Sequence, residues 1–401
     1  MLTKIARQFG TPIWIYDAEI IRKRIEDLKQ FDSTRYAQKA CSNIHILRLM
    51  REQGVHIDAV SKGEMERAFA AGFTKEQIVY TADLMDHDTI EFIITHNITA
   101  NVGSIDMLGQ LGERHRGHKV WLRINPGFGH GHSQKTNTGG ESSKHGIWHT
   151  DTQKALAEIK KYDLDLVGIH MHIGSGVDYE HLSQVCNAMT DIIRRENIDV
   201  PAISAGGGLS VPYRQDDQSI DLDQYFTLWD AARKNIEKLL GHPVKLEIEP
   251  GRYLVAESGK LLCEVRAVKE MGSLHYALVD AGFTELIRPA MYGSYHEITS
   301  LSKDGTPING NPVETVIAGP LCESGDMFTQ REGGFVEPRM LPPVQCGDLL
   351  TIHNAGAYGA SMSSNYNSRP YCPEVLVDGE QITQIRRRQT MAELLALELA
   401  V

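Results

Sequence analysis

Along the first two-thirds of the chain, short apolar or alternating runs recur, and between them apolar residues return every three or four positions. The short runs are RYAQKA (35–40), HIDAVS (56–61), IVYTA (78–82), ITANVGS (98–104), KVWLRINP (119–126), LVGIHMHIG (166–174), AISAGGG (202–208) and VKLEIEP (244–250). The stretches between them include NIHILRLMREQG, GEMERAFAAGF and DLDQYFTLWDAARKNIEKLLG, which carry helical spacing. Eight strand–helix units in roughly 250 residues predict an α/β fold, a (β/α)8 TIM barrel, over 18–257.

After Arg252 the pattern changes. KLLCEVRAVKEM, HYALVDAG, ETVIAGP and DLLTIHNAG lie between turn residues with few helices. They predict a mostly antiparallel β domain over 258–401. TPIWIYD (11–17) precedes the first barrel helix and is expected to join that domain, bringing residues 1–17 with it. QTMAELLALELAV predicts a terminal amphipathic helix. Segment 127–150 is too polar and Gly-rich for either element, and loops of that length commonly act as lids or binding segments.

The chain of 401 residues, 41% hydrophobic and 23% charged, is large enough for a substantial core. A formal net charge of −11 argues against nucleic acid as a partner. No apolar run is long enough to span a bilayer, and MLTKIARQFG lacks a signal-peptide core, so a cytoplasmic location is expected. Cysteines at 41, 186, 263, 322, 346 and 372 form no C-x-x-C pair, and most read as reduced structural or surface thiols. The basic run IRRRQ (385–389) reads as a solvated face.

In a barrel of this kind, chemistry gathers at the C-terminal strand ends. Lys39 ends the first run, and Asp58 and Ser61 lie near the end of the second. His172 ends the sixth, Gly206, Gly207 and Gly208 the seventh, and Glu249, Pro250, Gly251 and Arg252 the eighth. Three glycines alone read equally well as a tight turn. After the seventh barrel strand, beside Arg252, they read better as a phosphate cradle, since glycine lets backbone N–H groups approach an anion. A lysine beside a phosphate site suggests a Schiff base to pyridoxal 5'-phosphate (PLP) rather than a snorkelling surface residue. Glu249 would then face the pyridine nitrogen. Glu247 lies deeper on the same face, and Arg123 and His170 also take inward phases. Glu247 and Arg123 are expected to share a polar network inside the barrel, because an unpaired buried carboxylate is costly. HMH (170–172) and HGH (130–132) also suit a metal site, but the further inward ligands of a metal-dependent hydrolase cannot be assembled, and such a site leaves Lys39 idle.

With YAQKACSN (36–43), HMHIGSG (170–176), SAGGGLS (204–210), EIEPGR (247–252), IRPAMYGSYH (287–296), AGPLCESGD (318–326) and GAYGASMSSNYNSRP (356–370), the chain resembles the PLP-dependent decarboxylases of the alanine-racemase-like fold. These stretches cover nearly the whole chain in family order; Cys41 departs from the asparagine that many relatives carry. The resemblance implies that Lys39 anchors the cofactor and His172 stacks on its ring. It implies that Ser175 and Gly206 to Gly208 hold the phosphate, with Tyr358 closing it, and that Glu249 pairs with the pyridine nitrogen. It assigns the substrate's distal carboxylate to Arg252, Arg288 and Tyr292, its distal ammonium to Glu323, and protonation of the carbanion to Cys322. Related racemases place an arginine opposite the ring nitrogen, so Glu249 favours decarboxylation. Two arginines favour meso-2,6-diaminopimelate, decarboxylated to L-lysine, over ornithine, arginine, lysine or carboxynorspermidine. A non-catalytic PLP-binding barrel would lack the second domain. A homodimer with shared active sites is also implied.

Overall fold

The computed structural model describes residues 1–129, 138–172, 174 and 178–399. Contacts divide the chain into two compact units: Lys23–Val211 with Ser219–Leu254, and Met1–Arg22 with Pro212–Gln218 and Val255–Val401.

In the first unit, eight parallel strands form a closed barrel. They are Ser33–Ala37, His56–Ala59, Ile78–Ala82, Thr99–Val102, Lys119–Asn125, Asp165–His170, Ala202–Ser204 and Lys245–Ile248. All eight runs expected as strands are strands. Each pairs with its successor, and Lys245–Ile248 returns to Ser33–Ala37 with Glu247 opposite Ser33. A short ninth strand, Ile147–Trp148, pairs in parallel with the end of the fifth. Helices follow the strands, and several start on side-chain caps: Asp178 begins Tyr179–Glu196, and Asp221 begins Leu222–Leu240.

Strand periodicity sorts the residues into two sets. Tyr36, Ile57, Leu122, Ile169, Ile203 and Leu246 are fully or almost fully buried. The other phase fills the barrel in layers. Val79, Trp121 and Ala202 pack with Val167 as an apolar layer. Gly168 makes room for Trp121, since a Cβ there would lie 2.2 Å from the indole. Nearer the strand ends the buried residues turn polar: Asp58, Thr81, Asn101, Arg123, His170, Ser204, Glu247 and Glu249.

The expected polar layer inside the barrel forms, with Glu247 and Arg123 both buried in it, and the partner of Glu247 within it is a residue the sequence reading did not name. That partner is Arg35, with Nε to Oε2 at 2.6 Å and Nη2 to Oε1 at 3.2 Å. Arg35 lies on the neighbouring first strand, whereas Arg123 lies on the fifth.

The second unit is built on a mixed sheet in the order Arg339–Leu341, Val313–Ala318, Leu274–Val279, Gly259–Met271, Ile13–Asp17, Glu374–Asp378, Gln381–Arg386. Leu349–Ile352 and Ile298–Leu301 branch from Gly259–Met271. The N-terminal strand joins this sheet as expected. It runs antiparallel to Gly259–Met271 and parallel to Glu374–Asp378. Leu274–Val279 with Val313–Ala318 is a second parallel pairing, and the remaining ones are antiparallel. The terminal helix forms over Met391–Leu399 but buries no residue. The basic run is not simply solvated: Arg386 donates to the Cys372 carbonyl, and Arg388 to those of Thr11 and Pro12. No described helix is long and apolar enough to cross a membrane.

Candidate active site

The barrel unit brings Lys39, Asp58, His172, Gly206 to Gly208, Glu249, Pro250, Gly251 and Arg252 to the C-terminal ends of its strands. Lys39 stands exposed in a 3-10 turn, Gln38–Ala40, that follows the first strand. Buried Gln38 anchors that turn by donating to the Glu64 carbonyl at 2.9 Å. The charge of Lys39 acts on Asp58, Glu64 and His172.

Glu249 is the buried centre of the group. Its Oε2 lies 2.7 Å from His170 Nε2, and its Oε1 accepts from Ser204 Oγ at 3.1 Å. Burial raises its carboxyl, but the His170 and Arg35 charges and the hydrogen bonds from His170 and Ser204 outweigh burial, leaving it below the usual value. Glu249 is therefore a carboxylate and His170 Nε2 is the donor. Asp58 is the contrast. Burial and the Glu249 charge push it up to about 6, against Lys39, Thr81 and His170. Burial, with the charges of Arg123, Lys39, His170 and His145, keeps the His172 ring well below its usual value and hence neutral.

Ser204 also joins Glu249 to the glycine turn, because its Oγ accepts from Gly206 N at 3.1 Å. Gly206 and Gly208 have φ of 64° and 101°. A Cβ on Gly207 would lie 2.5 Å from the Glu249 carbonyl oxygen, and one on Gly208 2.3 Å from that of Gly174. Pro250 accepts from Ala37 N at 3.2 Å, and a Cβ on Gly251 would lie 3.0 Å from the Ala37 carbonyl oxygen. The eighth strand end therefore passes close to the base of the Lys39 turn.

These features fit PLP. The glycine turn exposes close-approach backbone for a phosphate. A carboxylate has about four acceptor positions, so the two donors on Glu249 leave room for a pyridinium N–H. Asp58 Oδ1 and His170 Nδ1 are buried without a partner among the described residues. Ser175 lies outside the described residues.

The sequence reading missed Glu64. It is the N3 residue of Lys62–Ala71, with Ser61 as cap, and its Oε2 accepts from Val60 N at 2.8 Å. Burial pushes its carboxyl up to about 7, against that hydrogen bond and with Asp58 adding to the rise. The S-x-x-E spacing was the available signal, and it reads as a cap rather than as a neighbour of Lys39.

The ends of segment 127–150 are docked, and residues 130–137 of the expected lid lie outside the described residues. Asn125 binds Gly127 N, Gly140 N and O, and the His145 carbonyl. Asp83 accepts from Gly146 N at 2.8 Å and meets His145 Nδ1 at 2.5 Å.

In the second unit, Arg288 opens the short helix Arg288–Tyr292 and is buried. Its Nη1 donates to His296 Nε2 at 2.9 Å, and the guanidinium lies 4.8 Å from the Tyr213 ring centroid. His296 Nδ1 donates to the His353 carbonyl, which fixes its tautomer. Tyr292 is half-buried. Cys322 and Glu323 are exposed on the loop after Val313–Ala318. Tyr358 is half-buried, with φ of 58°.

Residues 17–256 match the family described as "Pyridoxal-dependent decarboxylase, pyridoxal binding domain". The chain is 63% identical over 403 residues to a diaminopimelate decarboxylase of Escherichia coli (strain K12), covering 99% of this chain and 96% of that one. It is 60% identical over 402 residues to a diaminopimelate decarboxylase of Streptomyces coelicolor, covering 99% and 91%. A crystal structure of a diaminopimelate decarboxylase matches with a TM-score of 0.97 at 63% identity, over 99% of this chain and 96% of that one. That of the Helicobacter pylori enzyme complexed with L-lysine matches with a TM-score of 0.87 at 30% identity, over 99% of each chain.

Proposed function

The chain belongs to the PLP-dependent decarboxylases, and from that membership we infer that it is a carboxy-lyase converting meso-2,6-diaminopimelate to L-lysine and carbon dioxide. The observation that carries this reading is 63% identity to a diaminopimelate decarboxylase across 99% of the chain. The test is carbon dioxide release from meso-diaminopimelate compared with ornithine, arginine and lysine. Release from any of these in preference to meso-diaminopimelate would sink the reading.

When bound, PLP supplies the sink for the electron pair left at Cα as carbon dioxide departs. The residue roles are proposals. Lys39 would be the covalent anchor of the cofactor. Ser175 and the backbone of Gly206 to Gly208 hold the phosphate, with Tyr358 against it. Neutral His172 lies on the ring face. Glu249, oriented by His170 and Ser204, keeps the proton on the pyridine nitrogen. Asp58, Pro250 and Gly251 shape the cofactor pocket. Arg252, Arg288 and Tyr292 take the distal carboxylate, Glu323 takes the distal ammonium, and Cys322 returns a proton to Cα at the D centre. The barrel over 18–257 is the cofactor domain, and 1–17 with 258–401 completes the site. A cytoplasmic location suits a biosynthetic enzyme acting on a free amino acid.

Arg288→Ala is expected to lower the activity ratio of diaminopimelate to lysine by about 10- to 100-fold, the worth of a charge-assisted bond. Equal losses on both substrates would remove Arg288 from carboxylate recognition.

The assembly proposed is a two-fold homodimer in which each site takes Lys39 from one protomer and Cys322 and Glu323 from the other. Lys39→Ala and Cys322→Ala homodimers should each be nearly inactive. Random exchange makes about half the dimers mixed, each with one intact site, so the mixture should recover about a quarter of wild-type activity. No recovery, with exchange confirmed by mass spectrometry, would overturn the shared site.

A further inference from the structure

Resting on the reading of Cys322 as proton donor, we infer that Asn367 is a positioning residue for the reaction, its side-chain oxygen fixing the backbone from which the Cys322 thiol projects. Asn367 Oδ1 accepts from Cys322 N at 3.0 Å. Both residues are exposed, where one hydrogen bond contributes little to folding. The backbone that carries the bond is of a sparingly used kind: Asn367 and Ser368 are consecutive left-handed residues, with φ of 54° and 55°, a conformation asparagine tolerates and serine adopts less readily.

The surroundings hold that conformation from both sides. Asn365 Nδ2 donates to the Arg369 carbonyl and to Gln389 Oε1, each at 2.8 Å. Arg369 Nη2 donates to the Asp280 carbonyl at 2.7 Å. The Tyr366 ring stacks on Phe283, with centroids 5.6 Å apart.

Phe283 closes a circuit back to the cysteine. Its N–H donates to Asp326 Oδ1 at 2.7 Å, and Asp326 Oδ2 accepts from Leu321 N at 2.8 Å. Asp326 is buried, and a Cβ on Gly319 would lie 2.2 Å from it, so the turn is built around that carboxylate. Gln330 Nε2 holds the far side through the Gly325 and Met327 carbonyls. Loop 319–326 is thus fixed by Asp326 at its base, and the bond from Asn367 fixes its exposed crest. Strain held in place by surrounding structure marks positions whose geometry matters to function.

Asn367→Gly separates the bond from the strain, because glycine keeps the left-handed backbone and removes the acceptor. The expected result in the full-length enzyme with PLP bound is an unchanged or raised melting temperature and unchanged PLP content. Turnover should fall about tenfold, and the rate of Cys322 alkylation by iodoacetamide should change at least about threefold. Asn367→Asp keeps an acceptor oxygen and tolerates the same backbone, so it should return turnover to within about threefold of wild type. Wild-type turnover and wild-type alkylation in Asn367→Gly would overturn the inference. So would loss of the fold in Asn367→Gly, or an Asn367→Asp variant no better than Asn367→Gly. Cys322→Ala is measured alongside: if it keeps wild-type turnover, the donor reading fails; if it is nearly inactive while Asn367→Gly is not impaired, only the positioning role fails.

Discussion

Lys39→Ala is expected to lower turnover of meso-diaminopimelate more than about a thousandfold, the scale seen when a covalent catalytic group is removed. It should also abolish the visible absorption of the bound cofactor. Lys39 stands exposed between buried Gln38 and Ala40, and the turn is anchored by Gln38 rather than by the lysine. The side chain can be cut back without opening the core, so the melting temperature of the apoprotein should hold. Lys39→Arg is the companion: it keeps the positive charge that acts on Asp58, Glu64 and His172, yet cannot replace the amine. Borohydride reduction should fix the cofactor's mass on the peptide carrying Lys39 in the wild type and in neither variant. A visible band that survives in purified Lys39→Ala would refute the assignment.

Glu249→Gln carries the second large effect. Glutamine keeps an acceptor oxygen for His170 and nearly the same volume, so folding and PLP binding should persist. It loses the charge, and with it the ability to hold a proton on the pyridine nitrogen. The expected fall in the single-turnover rate at saturating substrate is about 10²–10³, the scale of losing one preorganised electrostatic partner. The pH profile gives a further check. Burial works to raise the Glu249 carboxyl, but His170, Arg35 and Ser204 bring it below the usual value. The wild type should therefore lose nothing to Glu249 protonation through the neutral range, and the rate advantage over Glu249→Gln should stay constant there. An unchanged chemical step in the variant would remove the role.

The barrel was legible because its strands are short and their breaks are marked. Ile78–Ala82 begins and ends where the apolar run does. The glycine turn was legible from its place after the seventh strand and beside Arg252, not from three adjacent glycines alone. Partnership inside the barrel was not legible. Periodicity shows that Glu247 and Arg123 face inward but not which neighbour each meets. That depends on barrel closure, which sets Lys245–Ile248 beside Ser33–Ala37 and gives Glu247 to Arg35. His170 was seen as inward, yet its bond to Glu249 joins strands far apart in sequence. Glu64 was hidden for a different reason: a glutamate at N3 of a capped helix ordinarily faces water, and only the fold places it near Lys39. The network around Asn367 rests on left-handed backbone at non-glycine residues, which no composition rule announces.

The seating of Ile13–Asp17 bears on how the chain is made. Trp14 pairs with Leu261 on one side and Glu374 on the other. During vectorial synthesis this segment leaves the ribosome about 360 residues ahead of Glu374–Asp378, its neighbour on one side. At about 5–20 residues per second, that wait is tens of seconds. Until then a fully buried Trp14 and Ile13 of the finished fold belong to a strand with unfilled edges, the kind of segment that recruits other chains. Joining such distant segments costs little more in loop-closure entropy than joining nearer ones, because that cost rises only with the logarithm of length. The burden is therefore one of timing: the barrel can close on its own sequence, while the first strand of the second unit's sheet waits for one of its last.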